Sequence, residues 1–230
     1  MSNLVTLENV TKIYNKGDAK IKALNCVNLT IPNNSFIALA GPSGSGKTTA
    51  LRIIGAQIKP TEGKVFFEDV DITSLKGNQL ADFRYKKTGF IFQDFRLIDS
   101  LNLKDNVFMG LLAGYRSKVT AEQREWYEFL LNKMGLEDRE KHYPSELSGG
   151  QKQKVAIMRA LIKRPPLILA DEPTANLDSA MGLEVIEVLH ELCSTAKLSV
   201  IFSSHDIRIL ERVNHVIWLR DGMVEEEKVE

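Results

Sequence analysis

The sequence carries little that would tie it to a membrane, an extracellular space or a nucleic acid on its own. Over 230 residues, lysine plus arginine and aspartate plus glutamate each number 30, so the net charge is zero. A global electrostatic pull toward a phosphate backbone or an acidic lipid surface is thereby excluded. Cysteine occurs twice, as Cys26 and Cys193, too far apart for a metal or redox spacing. Such usage fits a reducing compartment with both thiols buried. No uncharged apolar run approaches the ~20 residues of a membrane span, and the best ones, PPLILA and SVIFSS, are strand-sized. The opening residues MSNLVTLENV lack the basic-then-apolar order of a secretory leader. Internal repeats and low-complexity tracts are absent. What remains, 43% hydrophobic and 26% charged, suffices for one packed core with a smaller satellite subdomain.

Strand-like and helix-like runs alternate along most of the chain. Leu4 to Val10, Lys22 to Ile31 and Ser35 to Ala40 read as strands, then Lys47 to Gly55 as a helix. KVFF and Thr88 to Gln93 (TGFIFQ) read as strands again. From Leu103 to Arg164 the pattern is almost wholly helical, a candidate insertion. Beyond it come a strand at Leu167 to Ala170, a helix at Ser179 to Cys193, a strand at Leu198 to Ser203, a helix near Ile207 to Arg212 and a strand at His215 to Leu219. Such βα alternation predicts an α/β fold with a mostly parallel sheet covered by helices on both faces.

The chemistry starts at GPSGSGKT: Gly41, Pro42, Ser43, Gly44, Ser45, Gly46, Lys47 and Thr48, followed by Thr49. Between an apolar strand and a helix, this spacing is that of a phosphate-cradling loop. Its glycines free the backbone to turn successive N–H groups toward phosphate oxygens, and the helix N-terminus adds partial positive charge. Lys47 is then expected to reach the β- and γ-phosphates of a nucleotide, and the Thr48 hydroxyl to bind Mg²⁺. LILADE, Leu167 to Glu172, delivers two carboxylates to the C-terminal edge of a buried strand, where open α/β sheets bind ligands. Asp171 is expected to hold Mg²⁺ through water, and Glu172 to polarise the water that attacks the γ-phosphorus. With Pro173 next, the pair also suits a helix cap. LSGGQ places Ser148, Gly149, Gly150 and Gln151 at a helix start, so a hydroxyl, bare N–H groups and a positive helix end face one spot. A plain serine cap with a flexible entry reads equally well there.

GPSGSGKT, Gln93, LSGGQ, LILADE, ANLD (Ala175 to Asp178) and His205 in SSHD together resemble, in order, the motifs of the ATP-binding cassette (ABC) ATPases. The resemblance implies a P-loop NTPase core of RecA-like type, an antiparallel β subdomain near the N-terminus, and a helical subdomain between Q-loop and signature motif. Residues 1–92 and 165–230 then form the core and 93–164 the helical part. Two cassettes are implied to pair head to tail around ATP and Mg²⁺, each signature motif capping the γ-phosphate held by the other copy. Gln93 matches the Q-loop glutamine at the metal and the attacking water, His205 the switch histidine, Asp178 the D-loop aspartate, and Tyr14 the aromatic that stacks on adenine. Tyr14 is equally at home as a packing residue on a strand.

YNKGDAKIKALNCVNLTI and YPSELSGGQKQKVAIMRAL further resemble the branch of lipoprotein-release, macrolide-export and cell-division ATPases. That branch implies export or mechanical work in the envelope, a separate integral membrane permease docking near DFRLIDSLNLKDNV, and a peripheral position on the cytoplasmic face of the inner membrane. About 25 residues follow His205, so the permease is expected as another chain. A soluble ATPase of the family acting on nucleic acid or ribosomes is the other reading. The short interval from Gln93 to Ser148, the single cassette and the zero net charge argue against it, and no nucleic acid partner is expected.

Overall fold

The computed structural model describes residues 3–17, 19–112 and 119–229. In chain order the elements are β1 (Asn3–Lys16), β2 (Ala19–Pro32), β3 (Phe36–Ala40), α1 (Lys47–Ile54), β4 (Glu62–Phe67), β5 (Val70–Asp71), α2 (Gly77–Lys87), β6 (Thr88–Ile91), α3 (Leu103–Leu112) and α4 (Ala121–Lys133). They continue with α5 (Gly149–Leu161), β7 (Leu167–Ala170), α6 (Ser179–Ala196), β8 (Ser199–Ser204), α7 (Ile207–Leu210), β9 (His215–Arg220) and β10 (Met223–Val229).

Two sheets organise these elements. Strands β2-β1-β4-β5 form a four-stranded antiparallel sheet. In β2, Val27, Leu29 and Ile31 are buried while Asn28 and Thr30 are exposed, the period of two that puts one face on the core. The second sheet runs β10-β9-β3-β8-β7-β6, parallel except for the edge strand β10. Its central strands are covered on both sides, which is why LILA is apolar throughout and fully buried. Alternate residues feed two different cores. Ala38, Ala40, Ile168, Ala170, Val200 and Phe202 join the helical side with α4, α5 and α6. Ile37, Leu39, Leu167, Leu169 and Ile201 face α1 and the antiparallel sheet. The parallel strands therefore end side by side, and the loops after β3, β6, β7 and β8 meet at one edge.

The structure revises the sequence reading in places. The largely helical stretch Leu103 to Arg164 divides into separate helices. It holds α3, α4 and α5, with short turns at Glu137–Arg139 and Pro144–Glu146 between the last two, and residues 113–118 lie outside the described ones. Strand β6 stops at Ile91, two residues before Gln93. Helix α2 and strand β10 have no counterpart in the reading. Cys193 is buried, its Sγ 3.0 Å from the Leu198 carbonyl oxygen, but Cys26 is exposed. Cys26 stands in the irregular part of the β1–β2 ladder with φ +52, where a break in register turns its side chain outward.

Candidate active site

The loop after β3 is shaped by close packing. A Cβ on Gly41 (φ +135) would stand 2.1 Å from the Leu219 carbonyl oxygen, and one on Gly46 (φ +107) 2.5 Å from that of Ala23. Both positions demand glycine through contact as well as conformation. Gly46 precedes α1 and no side chain caps that helix, so its first-turn N–H groups stay available to a ligand. Lys47 is buried, and its Nζ donates to the carbonyls of Gly41 at 2.7 Å and Pro42 at 2.9 Å. Burial lowers its pKa below the ordinary lysine value, against the opposing charges of Glu172 and Asp171. The ammonium is thus held on its own loop by neutral oxygens, which an anion would outcompete.

Asp171, at the end of β7, is 8% exposed. Its Oδ1 accepts from Thr48 Oγ1 at 2.8 Å and from Ser203 Oγ at 3.0 Å, and Ser203 Oγ accepts the Glu172 N–H at 2.8 Å. Ser203 was not singled out in the sequence, although two hydroxyls following the apolar run Val200–Phe202 of β8 were a signal. Glu172 has the left-handed torsion φ +44. It lines two cavities, one of about 270 Å³ with Gly44, Gly46, Lys47, Thr48 and Thr49, the other of about 220 Å³ with Ser203, His205 and Asp206. Ser43 and Ala23 also line the first. His205 Nδ1 lies 3.5 Å from Glu172 Oε1. Thr48 and Asp171, hydrogen-bonded to each other, offer only oxygen ligands, a donor pair that suits Mg²⁺ with substrate oxygens completing its shell. The residues present therefore fit the ion.

The remaining predicted residues gather elsewhere. Ser148 caps α5 in a reciprocal pair with Gln151: Ser148 Oγ accepts the Gln151 N–H at 3.3 Å, and Gln151 Oε1 accepts the Ser148 N–H at 2.9 Å. Gly150 is buried where a Cβ would fall 1.7 Å from Met181 Cε. Gly149 is exposed, and a Cβ there would meet nothing nearer than the Asn176 carbonyl oxygen at 3.5 Å. Asp178 caps α6, its Oδ1 accepting the N–H groups of Ala180 and Met181 at 3.1 and 3.0 Å. Gln93 is exposed, and its carbonyl accepts from Asn176 Nδ2 at 2.7 Å. Neither Gln93 nor Ser148, Gly149, Gly150, Gln151 or Asp178 lines either cavity. Tyr14, 39% exposed on β1, has the Lys12 ammonium 5.3 Å from its ring centroid and does not line the cavity beside Lys47.

Fold and loop together define a P-loop nucleoside triphosphatase. The model of the ABC transporter family matches residues 24–175. An ABC transporter ATP-binding protein of Methanocaldococcus jannaschii, MJ0796, is 43% identical over 98% of this chain and 97% of its own length. The macrolide export ATP-binding/permease protein MacB of Syntrophobacter fumaroxidans is 39% identical over 98% of this chain, which spans 32% of that longer protein. A solved dimer of MJ0796 in a post-hydrolysis state with ADP and Pi superimposes with a TM-score of 0.89 at 42% identity, covering 98% of this chain and 99% of that one. The chain belongs to the ABC transporter family. It is an ATP-hydrolysing cassette of that family.

Proposed function

We propose that two copies of this chain close head to tail on two ATP–Mg²⁺, and that closing and reopening drive a separate membrane permease of the export or envelope-remodelling type. The observation that carries the dimer is Gly149. An exposed glycine in a first helical turn, with room for a Cβ and an ordinary torsion, has no explanation within one chain. A triphosphate presented by a second copy explains it, since the bare N–H groups and the Ser148 O–H then meet γ-phosphate oxygens. The dimeric MJ0796 structure supports the arrangement, and the joint ATP-binding and permease naming of MacB supports the coupling. The division into a core of 1–92 and 165–230 and a helical part of 93–164 belongs to the same reading.

Mg²⁺, when bound, supplies charge neutralisation on the phosphates, held by Thr48, Asp171 and Gln93. The rest falls to the side chains. Lys47 leaves the Gly41 and Pro42 carbonyls for the β- and γ-phosphates. Glu172 polarises the attacking water and takes its proton as the water oxygen bonds to the γ-phosphorus and the bond from that phosphorus to the bridging oxygen breaks, the bridging oxygen leaving with ADP. His205 holds the Glu172 carboxylate and the γ-phosphate, Asp178 acts across the dimer, and Tyr14 stacks on adenine. Among the described residues no helix is long and apolar enough to cross a membrane; docking on the permease near residues 94–107 would make the chain peripheral on the cytoplasmic face. Glu172→Gln should bind ATP without turnover and accumulate as a nucleotide-bound dimer in sedimentation, whereas Ser148→Arg should bind ATP as a monomer. Wild-type turnover by the first, or wild-type dimerisation by the second, refutes the assignment.

A further inference from the structure

Ten residues beyond Gly149 on the same helix, about 15 Å along its axis at 1.5 Å per residue, α5 carries Arg159. Its guanidinium leaves the helix and grips the loop that follows β6: Nη2 donates to the Phe95 carbonyl at 2.5 Å and Nη1 to the Arg96 carbonyl. Among the described residues no carboxylate pairs with it, so two backbone oxygens receive this half-buried charge. Those oxygens belong to consecutive residues with φ +56 and +49, a left-handed pair disfavoured for any residue with a side chain. Arg96 lies over the Phe92 ring at 3.9 Å and its Nε meets Asp94 at 3.1 Å. On the upstream side Asn176 holds the Gln93 carbonyl. The Arg159 turn of α5 is itself fixed, since a Cβ on Gly110 of α3 would stand 2.4 Å from the Arg159 carbonyl oxygen.

We propose that Arg159 is a positioning residue that clamps the loop carrying Gln93 to α5, so that a shift of the Ser148–Gly149 end is transmitted to Gln93. The inference rests on the reading of Gln93 given above. A planar fork suits two adjacent carbonyls, and neither a lysine nor an uncharged chain reproduces it.

The test is ATPase kinetics on Arg159→Met, Arg159→Lys, Gln93→Ala and the Gln93→Ala/Arg159→Met pair. Misplacing a catalytic group by about 1 Å costs on the order of 100-fold, so Arg159→Met should lower kcat by roughly 10- to 100-fold with KM for ATP within about twofold, and Arg159→Lys should not restore it. Acting through Gln93, Arg159→Met should slow the Gln93→Ala enzyme no further. Trypsin should cut after Arg96 faster in Arg159→Met and in Arg159→Lys than in the wild type, with other sites unchanged. A Gln93→Ala enzyme at the wild-type rate refutes the reading of Gln93 and the clamp with it. A slow Gln93→Ala enzyme that Arg159→Met slows by its full factor again refutes the clamp alone, as does unchanged cleavage after Arg96.

Discussion

Replacing Gly149 by alanine should stabilise the free chain and weaken its dimer. The added Cβ meets only the Asn176 carbonyl oxygen at 3.5 Å, an ordinary contact, so nothing in the monomer must move. Alanine is the better helix former by about 0.5 kcal/mol at the lower end of the scale, which is the relevant end for a first-turn position. For a chain of this size that corresponds to a rise of ~1–2 °C in Tm. The dimer should respond the other way. A methyl between the Gly149 backbone and a γ-phosphate would remove one charge-assisted hydrogen bond per site, about 1.5 kcal/mol at least. With two equivalent sites the loss is ~3 kcal/mol, more than 100-fold in the dimer dissociation constant. Sedimentation with ATP in a Glu172→Gln background measures the second effect, and calorimetry of the nucleotide-free chain the first. A Gly149→Ala protein that melts lower, or that dimerises as tightly as its parent, would show that the glycine serves its own chain and refute capping by a partner.

Further outcomes follow from burial and titration. Cys26 should react with a maleimide in the native chain and Cys193 only after unfolding, since burial raises the Cys193 thiol pKa above its ordinary value; two native thiols by mass would contradict the assigned faces. Lys163, whose Nζ donates to the Arg84 carbonyl at 3.0 Å, is lowered by burial from 10.5 to about 8. Between those values the unfolded chain keeps a proton that the folded chain sheds, so stability should rise with pH across that window, and the penalty of the buried charge is fully present below it. Urea unfolding of wild type and Lys163→Met from pH 7 to 10.5 should show a steeper rise in the wild type than in the variant, which keeps only the contribution of groups such as Lys47.

The features most legible in the sequence were those set by neighbours in the chain. A glycine-rich loop between strand and helix, two carboxylates closing an apolar strand and a serine opening a helix all follow from local spacing. Ser203, Asn176 and Arg159 escaped because their roles depend on partners 32, 83 and 63–64 residues away. Helix α2 escaped for another reason: only Phe83 of its 11 residues is buried, so it has no apolar stripe. Strand β10 is mostly exposed and acidic, held by its ladder to β9 and not by a hydrophobic face. Cys26 was misjudged because a register break in a ladder reverses which side chains point inward, and composition does not announce it.

One backbone torsion gives two adjacent carboxylates different surroundings. Asp171 still belongs to the sheet: its N–H donates to the Ile91 carbonyl at 2.9 Å, and two hydroxyls fix its Oδ1. A carboxylate so restrained is a stationary charge, suited to holding a cation. At Glu172 the chain turns to φ +44, and the side chain lines both cavities, within 3.5 Å of His205. A left-handed torsion at a residue with a Cβ costs on the order of 1–2 kcal/mol, and glycine would relieve it. On the proposed reading, a glutamate at that torsion, between a lysine-lined cavity and a histidine, would place a base where water can meet a phosphate. Had the strand simply continued, period-two alternation would have turned residue 172 to the opposite face from Asp171 and into the sheet's packing. The departure from the strand therefore spares a second acidic residue a burial penalty and leaves it lining both cavities, as the proposed role requires.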